Sequence, residues 1–435
     1  MAEPHKPPKA LEILHRHWPK ALAFLWIPAL YAVTLTPTPS FERPGPEPFM
    51  LCILCGDRGG ADLVLNVVLY MPLGLLAAQR IGVWRTLLLG VLLSMGVELI
   101  QLFLPGRFST LGDVVANGSG ALAGAFLYRV SAMVGRGRRP GYAVGFSTAL
   151  TAGGLVLLGG WLIEPSPTDE VYWGQWTPDF GPGTRYTGTV LSARLNGRPL
   201  PSRRLPDSLT AGGVILDDWT LSGTVEKGSP TRSVTSVLSI FDEKENEILY
   251  LGAYGEHLLL RERLRAQDWQ LDRPELVAWD VLAPAEAGDT MRVSARRVGS
   301  DRCLTVDDRE VCGLGLTPGR LWSLLLYPAS ASRGLRTVAD FGVVFTLFLP
   351  LGFVATSRQA AALSAAVALV LVALAVAWTR LRFDWVVEPL AVLAGLGVGY
   401  MSAWALSTAG EALGHSTVEP ATPSPPSAGA SPGSA

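Results

Sequence analysis

The stretch VELIQLFLPGRFSTLGDVVANGSG carries Glu98, Gln101, Arg107, Ser109, Asp113 and Asn117, and Asn66 stands some thirty residues upstream. Carboxylates accept protons and hydrogen bonds, a guanidinium clamps phosphate or carboxylate, and amides can orient either. With helices on both sides of the PGR segment, Glu98 and Gln101 share a face three residues apart, and Asp113 and Asn117 share one four apart. The helical ones sit in otherwise apolar runs and Arg107 in the six-residue loop between them, near the outer membrane surface, where ionisable groups are costly unless paired and are functional candidates by default. Two readings of the set are open. In the functional one, Glu98 or Asp113 acts as a general base and Arg107 as an anion clamp. In the structural one, Glu98, Arg107 and Asp113 form a salt-bridged staple that closes a helical hairpin near water, with Asn117 as glue between helices.

The elements that must position these residues are membrane spans. The chain has 435 residues, 49% of them hydrophobic and 17% charged, with 37 acids against 36 bases. Near-neutrality argues against a nucleic-acid partner. The charge is unevenly spread: residues 164–335 hold 24 of the acids and 19 of the bases. That is the pattern of a soluble domain spliced into a membrane protein. About eight apolar runs approach spanning length, near residues 21–35, 62–78, 86–104, 113–128, 142–163, 338–355, 360–378 and 385–406. Lys6, Lys9, Arg16 and Lys20 before the first run, Arg80 and Arg85 after the second, and Arg129, Arg136, Arg138 and Arg139 after the fourth place those loops in the cytoplasm. Residues 164–335 then lie outside. Arg380 and Arg382, also outside, run against the rule.

The expected organisation is a cytoplasmic N-terminus (1–20), a membrane domain of five spans (21–163), an extracytoplasmic all-β sandwich (164–335), three further spans (336–406) and a low-complexity tail (407–435). The runs TRYTGTVLSARL, SVTSVLSIF, EILYLGAY, HLLLRERL, DTMRVSARRV and SLLLYP read as short strands separated by turn residues. Their order resembles laminin-G/concanavalin-like sandwiches in pattern.

The succession Asn66, Tyr70, Pro72, Gly74, then Glu98 and Gln101, then Pro105, Arg107, Ser109, Asp113, Asn117, Gly120 and Gly124 resembles the VanZ-like membrane proteins of bacteria. Order and spacing agree across three helices, over about residues 20–130. Within it Pro72 kinks its helix, and Gly74, Gly120 and Gly124 permit close helix packing. The resemblance implies a multi-pass protein of the bacterial cytoplasmic membrane and envelope. The family is named for an accessory protein that lowers susceptibility to teicoplanin, and the resemblance supplies no reaction.

The last three spans read as a second copy of this unit. Residues 61–74 align with 339–352, matching Asp62 to Asp340, Pro72 to Pro350 and Gly74 to Gly352. Residues 113–126 align with 384–397, matching Asp113 to Asp384, Asn117 to Glu388 and Gly124 to Gly395. The orientation is the same in both, as in a parallel duplication.

Other signals are smaller. Cys303 and Cys312 flank LTVDDREV, a hairpin with Asp307–Asp308 at its turn, and a disulfide is expected there. Cys52 and Cys55 form a CxxC without βαβ context, open to a local bridge or two free thiols. No metal or cofactor is expected, and GxSxG, HExxH and a Ser-His-Asp order are absent from the sequence. The favoured function is therefore a non-enzymatic envelope protein with membrane lipids around it. Its outer sandwich would bind a glycan, a peptidoglycan precursor, a peptide or a protein. The alternatives are a membrane enzyme, or a lipid-handling or transport protein, working at the outer leaflet through Glu98, Arg107 and Asp113.

Overall fold

The structure is a computed structural model and describes residues 25–36, 49–104, 107–135, 142–166, 171–179, 185–206, 208–326, 331–355 and 358–415. The N-terminal 1–20, Pro105 and the end of the tail lie outside them. Helix α1 covers Leu25–Leu35. The four that follow are α2 (Gly59–Ile81), α3 (Val83–Gln101), α4 (Leu111–Gly135) and α5 (Tyr142–Leu162). After the charged domain come α8 (Arg333–Val354), α9 (Arg358–Trp378) and α10 (Val387–His415). Helix α10 therefore continues past Ser407, where the sequence places the start of the tail. Six of these helices (α2, α3, α5, α8, α9 and α10) are long and apolar enough to cross a membrane. Helix α4 is long enough, at about 1.5 Å per residue, but Asp113, Asn117, Ser119 and its glycines dilute its apolarity.

Glycine decides how α4 docks. A methyl group on Gly120 would overlap the Val67 carbonyl, and one on Gly124 the Met71 carbonyl, while Gly74 of α2 faces the Ala121 carbonyl. These contacts advance together along both chains, so α2 and α4 run parallel with backbones touching. Helix α3 returns between them in sequence and packs antiparallel on α4, through Gly90 against Ala121 and Gly118 against Val91. Where lipid removes the hydrophobic gain of helix association, such close contact supplies the attraction.

The inserted domain is a sandwich of two antiparallel sheets. One has five strands in the order β1 (Tyr172–Trp176), β5 (Thr235–Asp242), β6 (Glu247–Tyr254), β7 (His257–Glu262) and β8 (Leu276–Ala278). The other has six, in the order β11 (Arg309–Val311), β10 (Asp301–Val306), β9 (Thr290–Val298), β4 (Trp219–Glu226), β2 (Thr189–Leu195) and β3 (Arg198–Pro199). The six-stranded sheet has one wet face, so β9 alternates buried and accessible residues. Strands β6 and β7 are buried on both faces and lose the alternation. Two segments depart from expectation. Ser208–Leu216 is a helix, α6, between β3 and β4, and SLLLYP begins inside a 3-10 turn (Gly319–Leu324) that packs on α8.

Buried charge stiffens the sandwich. Glu262 pairs with Arg302 (2.9 Å) and with Arg297 (3.7 Å), all three being almost fully buried. Burial pushes the Glu262 carboxyl up, but the two guanidiniums outweigh it and hold it below its ordinary range. Burial pushes Arg297 down to about 10, against the pull of Glu262. The sandwich is bolted to both membrane halves. Arg58 before α2 pairs with Asp272 (2.7 Å), and Gly60 meets the Trp269 carbonyl, held there by the short helix α7 (Arg265–Asp268). Arg380 pairs with Glu164 (3.3 Å), and Arg382 with Asp301 (3.1 Å). These two arginines fasten the domain, which is why they stand against the charge rule for loops.

Candidate functional site

The site lies where α2, α3 and α4 end nearest the sandwich. The loop before α2 runs alongside the turn after α3: Met50 N–H donates to Ser109 O (2.9 Å), Leu111 N–H to Met50 O (2.9 Å) and Gly112 N–H to Cys52 O (3.0 Å). Cys52 and Cys55 are disulfide-bonded and keep this loop short. Beneath it is a cavity of about 630 Å³, whose lining includes Asn66, Glu98, Gln101, Arg107, Asp113 and Asn117. Six of the seven polar candidates named from sequence thus line one space. The seventh, Ser109, is buried behind it and donates to the Glu98 carbonyl (2.7 Å).

Thr110 organises the carboxylates. It is the residue before α4, and its hydroxyl oxygen accepts the Asp113 N–H (3.0 Å), as an N-cap does. The same hydroxyl donates to the Asp113 carboxylate (2.8 Å). In a capping box the third-position acid reaches back to the cap's own N–H. Here that N–H donates instead to Glu98 Oε2 of α3 (3.0 Å), so one turn fixes both acids. Asn66 Nδ2 donates to Asp113 from α2. Thr110 is absent from the residues singled out by sequence, although T-x-x-D ahead of an apolar run is a legible cap signal.

Arg107 does not close a staple with Glu98 and Asp113. Its guanidinium donates to Thr36 O (2.9 Å) and Val33 O, and Gln101 Nε2 donates to Thr34 O (2.7 Å). The last carbonyls of a helix lack intrahelical donors and carry its negative end. The end of α1 therefore takes Arg107 and Gln101, and among the described residues neither Glu98 nor Asp113 has an ion pair. Asn117 donates to Ser94 Oγ (2.9 Å), while its own Oδ1 is buried without a partner. Of the groups that line the cavity, Arg58 and Arg107 are bonded elsewhere, which leaves two carboxylates without an ion pair and an unused amide oxygen. Such a lining suits a ligand group that donates hydrogen bonds or carries positive charge.

Helices α8 and α10 repeat the contacts of α2 and α4. Gly352 faces the Leu396 carbonyl as Gly74 faces that of Ala121. Gly395 faces the Phe345 carbonyl, and Gly399 that of Leu349, as Gly120 and Gly124 face Val67 and Met71. The matching glycines are Gly120 with Gly395 and Gly124 with Gly399. This corrects the register read from sequence by one helical turn. Glu388, not Asp384, occupies the place of Asp113, and Asp340 keeps that of Asp62.

Cys303 and Cys312 are disulfide-bonded across the β10–β11 hairpin. They are also two of the three members of the one cluster among the described residues with metal-ligand spacing, the third being Glu310. Bonded sulfurs offer no thiolate, so that cluster is not a metal centre.

Residues 16–132 match the family model described as VanZ/LLP1. The matched span takes in α1 to α3 and most of α4, including every polar residue of the cavity. No curated protein and no solved structure matches the chain.

Proposed function

Starting from a VanZ-like domain at residues 16–132, we propose that the chain is a non-enzymatic binding protein of the bacterial cytoplasmic membrane. It has eight spans, counting α1 and α4, and its laminin-G/concanavalin-like sandwich lies outside. Two observations support the orientation. Both disulfides lie on the sandwich side, as an oxidising compartment requires. Arg80, Arg85 and Arg129 lie towards the opposite ends of the helices. The ligand is an envelope molecule presenting an amine or amide donor, such as a peptidoglycan precursor or a peptide, and it enters the cavity under the Cys52–Cys55 loop. The observation that carries this reading is that Glu98 and Asp113 line that cavity without an ion pair among the described residues, while its two arginines, Arg58 and Arg107, are bonded elsewhere. The enzyme alternative loses its anion clamp, because Arg107 is occupied by α1.

The test compares Glu98→Gln and Asp113→Asn with the parent in cells. Normal accumulation with altered glycopeptide susceptibility supports the reading. Unaltered susceptibility at normal accumulation refutes it.

A second reading places recognition of a glycan, peptide or protein on the sandwich. It rests on a groove of about 300 Å³ in the six-stranded sheet, lined by the hydroxyls of Ser192, Ser222, Ser294 and Thr305 beside Arg292. Loss of cell-wall polysaccharide retention by the full chain on Arg292→Ala would favour it over the membrane cavity.

A further inference from the structure

A second cavity, of about 520 Å³, opens where α8 and α10 end against the sandwich. It occupies the place that the first cavity has between α2 and α4, but its carboxylates are spent. Asp340 accepts two hydrogen bonds from one edge of the Arg320 guanidinium (2.8 and 2.6 Å) and a third from Trp322 Nε1 (2.7 Å). Glu388 accepts the backbone N–H groups of Gly319 (3.0 Å) and Asp384 (3.1 Å). Asp384 in turn accepts those of Val386 and Val387 (2.9 Å each).

The arginines are not all spent. Arg333 lines the cavity at the first turn of α8, is exposed, and its guanidinium has no partner among the described residues. A cation there opposes the positive end of the helix dipole, so its position is unfavourable unless an anion lies between them. Arg336 and Arg382 line the same wall and add to its positive charge, but each is already paired, with Glu275 (3.8 Å) and Asp301 (3.1 Å). Beside the cavity, just before α10, stand Trp385 and Val386, 82% and 67% exposed, and aromatic side chains at the end of a span favour the lipid headgroup level.

We propose that this cavity binds a phosphate-class anion, the headgroup of an anionic phospholipid in the leaflet facing the sandwich. Arg333 is its principal ligand, and the acyl chains lie against Trp385 and Val386. Guanidinium matches phosphate in geometry as well as charge. The inference does not rest on the amine-binding reading of the first cavity.

The test titrates the full chain in detergent with short-chain phosphatidylglycerol, phosphatidylcholine and inorganic phosphate, read by calorimetry. Phosphatidylglycerol should bind, and phosphatidylcholine at least about tenfold more weakly. Arg333→Glu should weaken phosphatidylglycerol by about tenfold or more, and Arg232→Glu, an exposed arginine elsewhere on the sandwich, should leave it unchanged. Trp385→Ala should weaken phosphatidylglycerol and not inorganic phosphate. Should Arg333→Glu fold poorly, Arg333→Gln gives the same comparison at lower cost. Equal binding of the two lipids, or an unchanged affinity in a folded Arg333 variant, overturns the proposal. Inorganic phosphate binding as tightly as phosphatidylglycerol overturns the lipid source and leaves a free phosphate-bearing solute.

Discussion

Helices α2 and α4 pack by the same backbone contacts as α8 and α10, glycine against carbonyl at three matching levels. Each pair ends in a cavity on the sandwich side, yet the chemistry of the two differs. In the first, Glu98 and Asp113 are held by Thr110 and Asn66 and keep no counter-cation, while Arg107 turns away to α1. In the second, Asp340 and Glu388 are consumed by Arg320 and by backbone donors, and Arg333 is left over. The backbone frame thus sets where a polar cavity forms, and a handful of side chains set the sign of what it attracts. A salt bridge inside the cavity removes an acid from use, whereas a cap on a neighbouring helix removes a base.

The shared frame is the part whose failure would be most severe. Gly124→Leu and Gly399→Leu should each prevent accumulation of folded protein, because the side chain would have to enter the facing helix's backbone. The cost lies at or beyond the upper end of the roughly 1–3 kcal/mol usual for overpacking. Gly397→Leu, one face away with nothing in reach, should accumulate normally. Membrane-fraction immunoblots decide it, and a tolerated Gly399→Leu beside a lethal Gly124→Leu would break the equivalence of the two pairs.

A third acid shows what full pairing is worth. Glu262→Gln leaves Arg302 and Arg297 buried without their anion and should cost about 3–5 kcal/mol, read as a lowered unfolding midpoint of the full chain in detergent. Its carboxyl is held below the ordinary range, so the pair's contribution is complete above about pH 4.5. It is lost as pH falls through the lower folded value. The parent should destabilise in acid below that point, and Glu262→Gln should show less of this slope.

Much of this is legible in the sequence. Lipid excludes charge, so the spans stand out, and Asn66, Glu98, Gln101, Arg107, Asp113 and Asn117 do line one cavity. Partners were less readable. Arg107 lies close to both acids in sequence, and only the placement of α1, some seventy residues upstream, shows why it bonds elsewhere. The register of α10 is ambiguous in sequence because sliding a helix by four residues keeps the same face, so a row of glycines looks alike in either alignment. Two glycines in Ser208–Leu216 lower helix propensity, so α6 does not stand out within a domain that reads as all-β. The apolar triplet in SLLLYP resembles a strand, but its first leucine closes a 3-10 turn that packs on the next helix, α8.

The two arginines give a sharper test of the asymmetry. Arg320→Ala strands the largely buried Asp340 of α8 and should cost about 2 kcal/mol or more. Arg107→Ala removes only hydrogen bonds to the end of α1, about 1 kcal/mol, and strands no acid. Thermal midpoints of the two variants in the same detergent should fall in that order. The reverse order would mean that Arg107, not Arg320, neutralises a carboxylate.

The smallest effect should be the most local. Cys52→Ser with Cys55→Ser releases a bridge over four residues, so little chain entropy is at stake and the global midpoint should barely move. The loop it closes is nevertheless the roof of the first cavity, and that loop's backbone bonds to Ser109, Leu111 and Gly112 are what hold Thr110 under it. Amides of Leu111 and Gly112 should therefore exchange faster in the double variant, while those at the start of α8 keep their protection. Faster exchange at both ends would show that the cavities are coupled through the sandwich, by way of Arg58–Asp272 on one side and Arg320–Asp340 on the other. Unchanged exchange at both would mean that Thr110 alone holds the two acids in place.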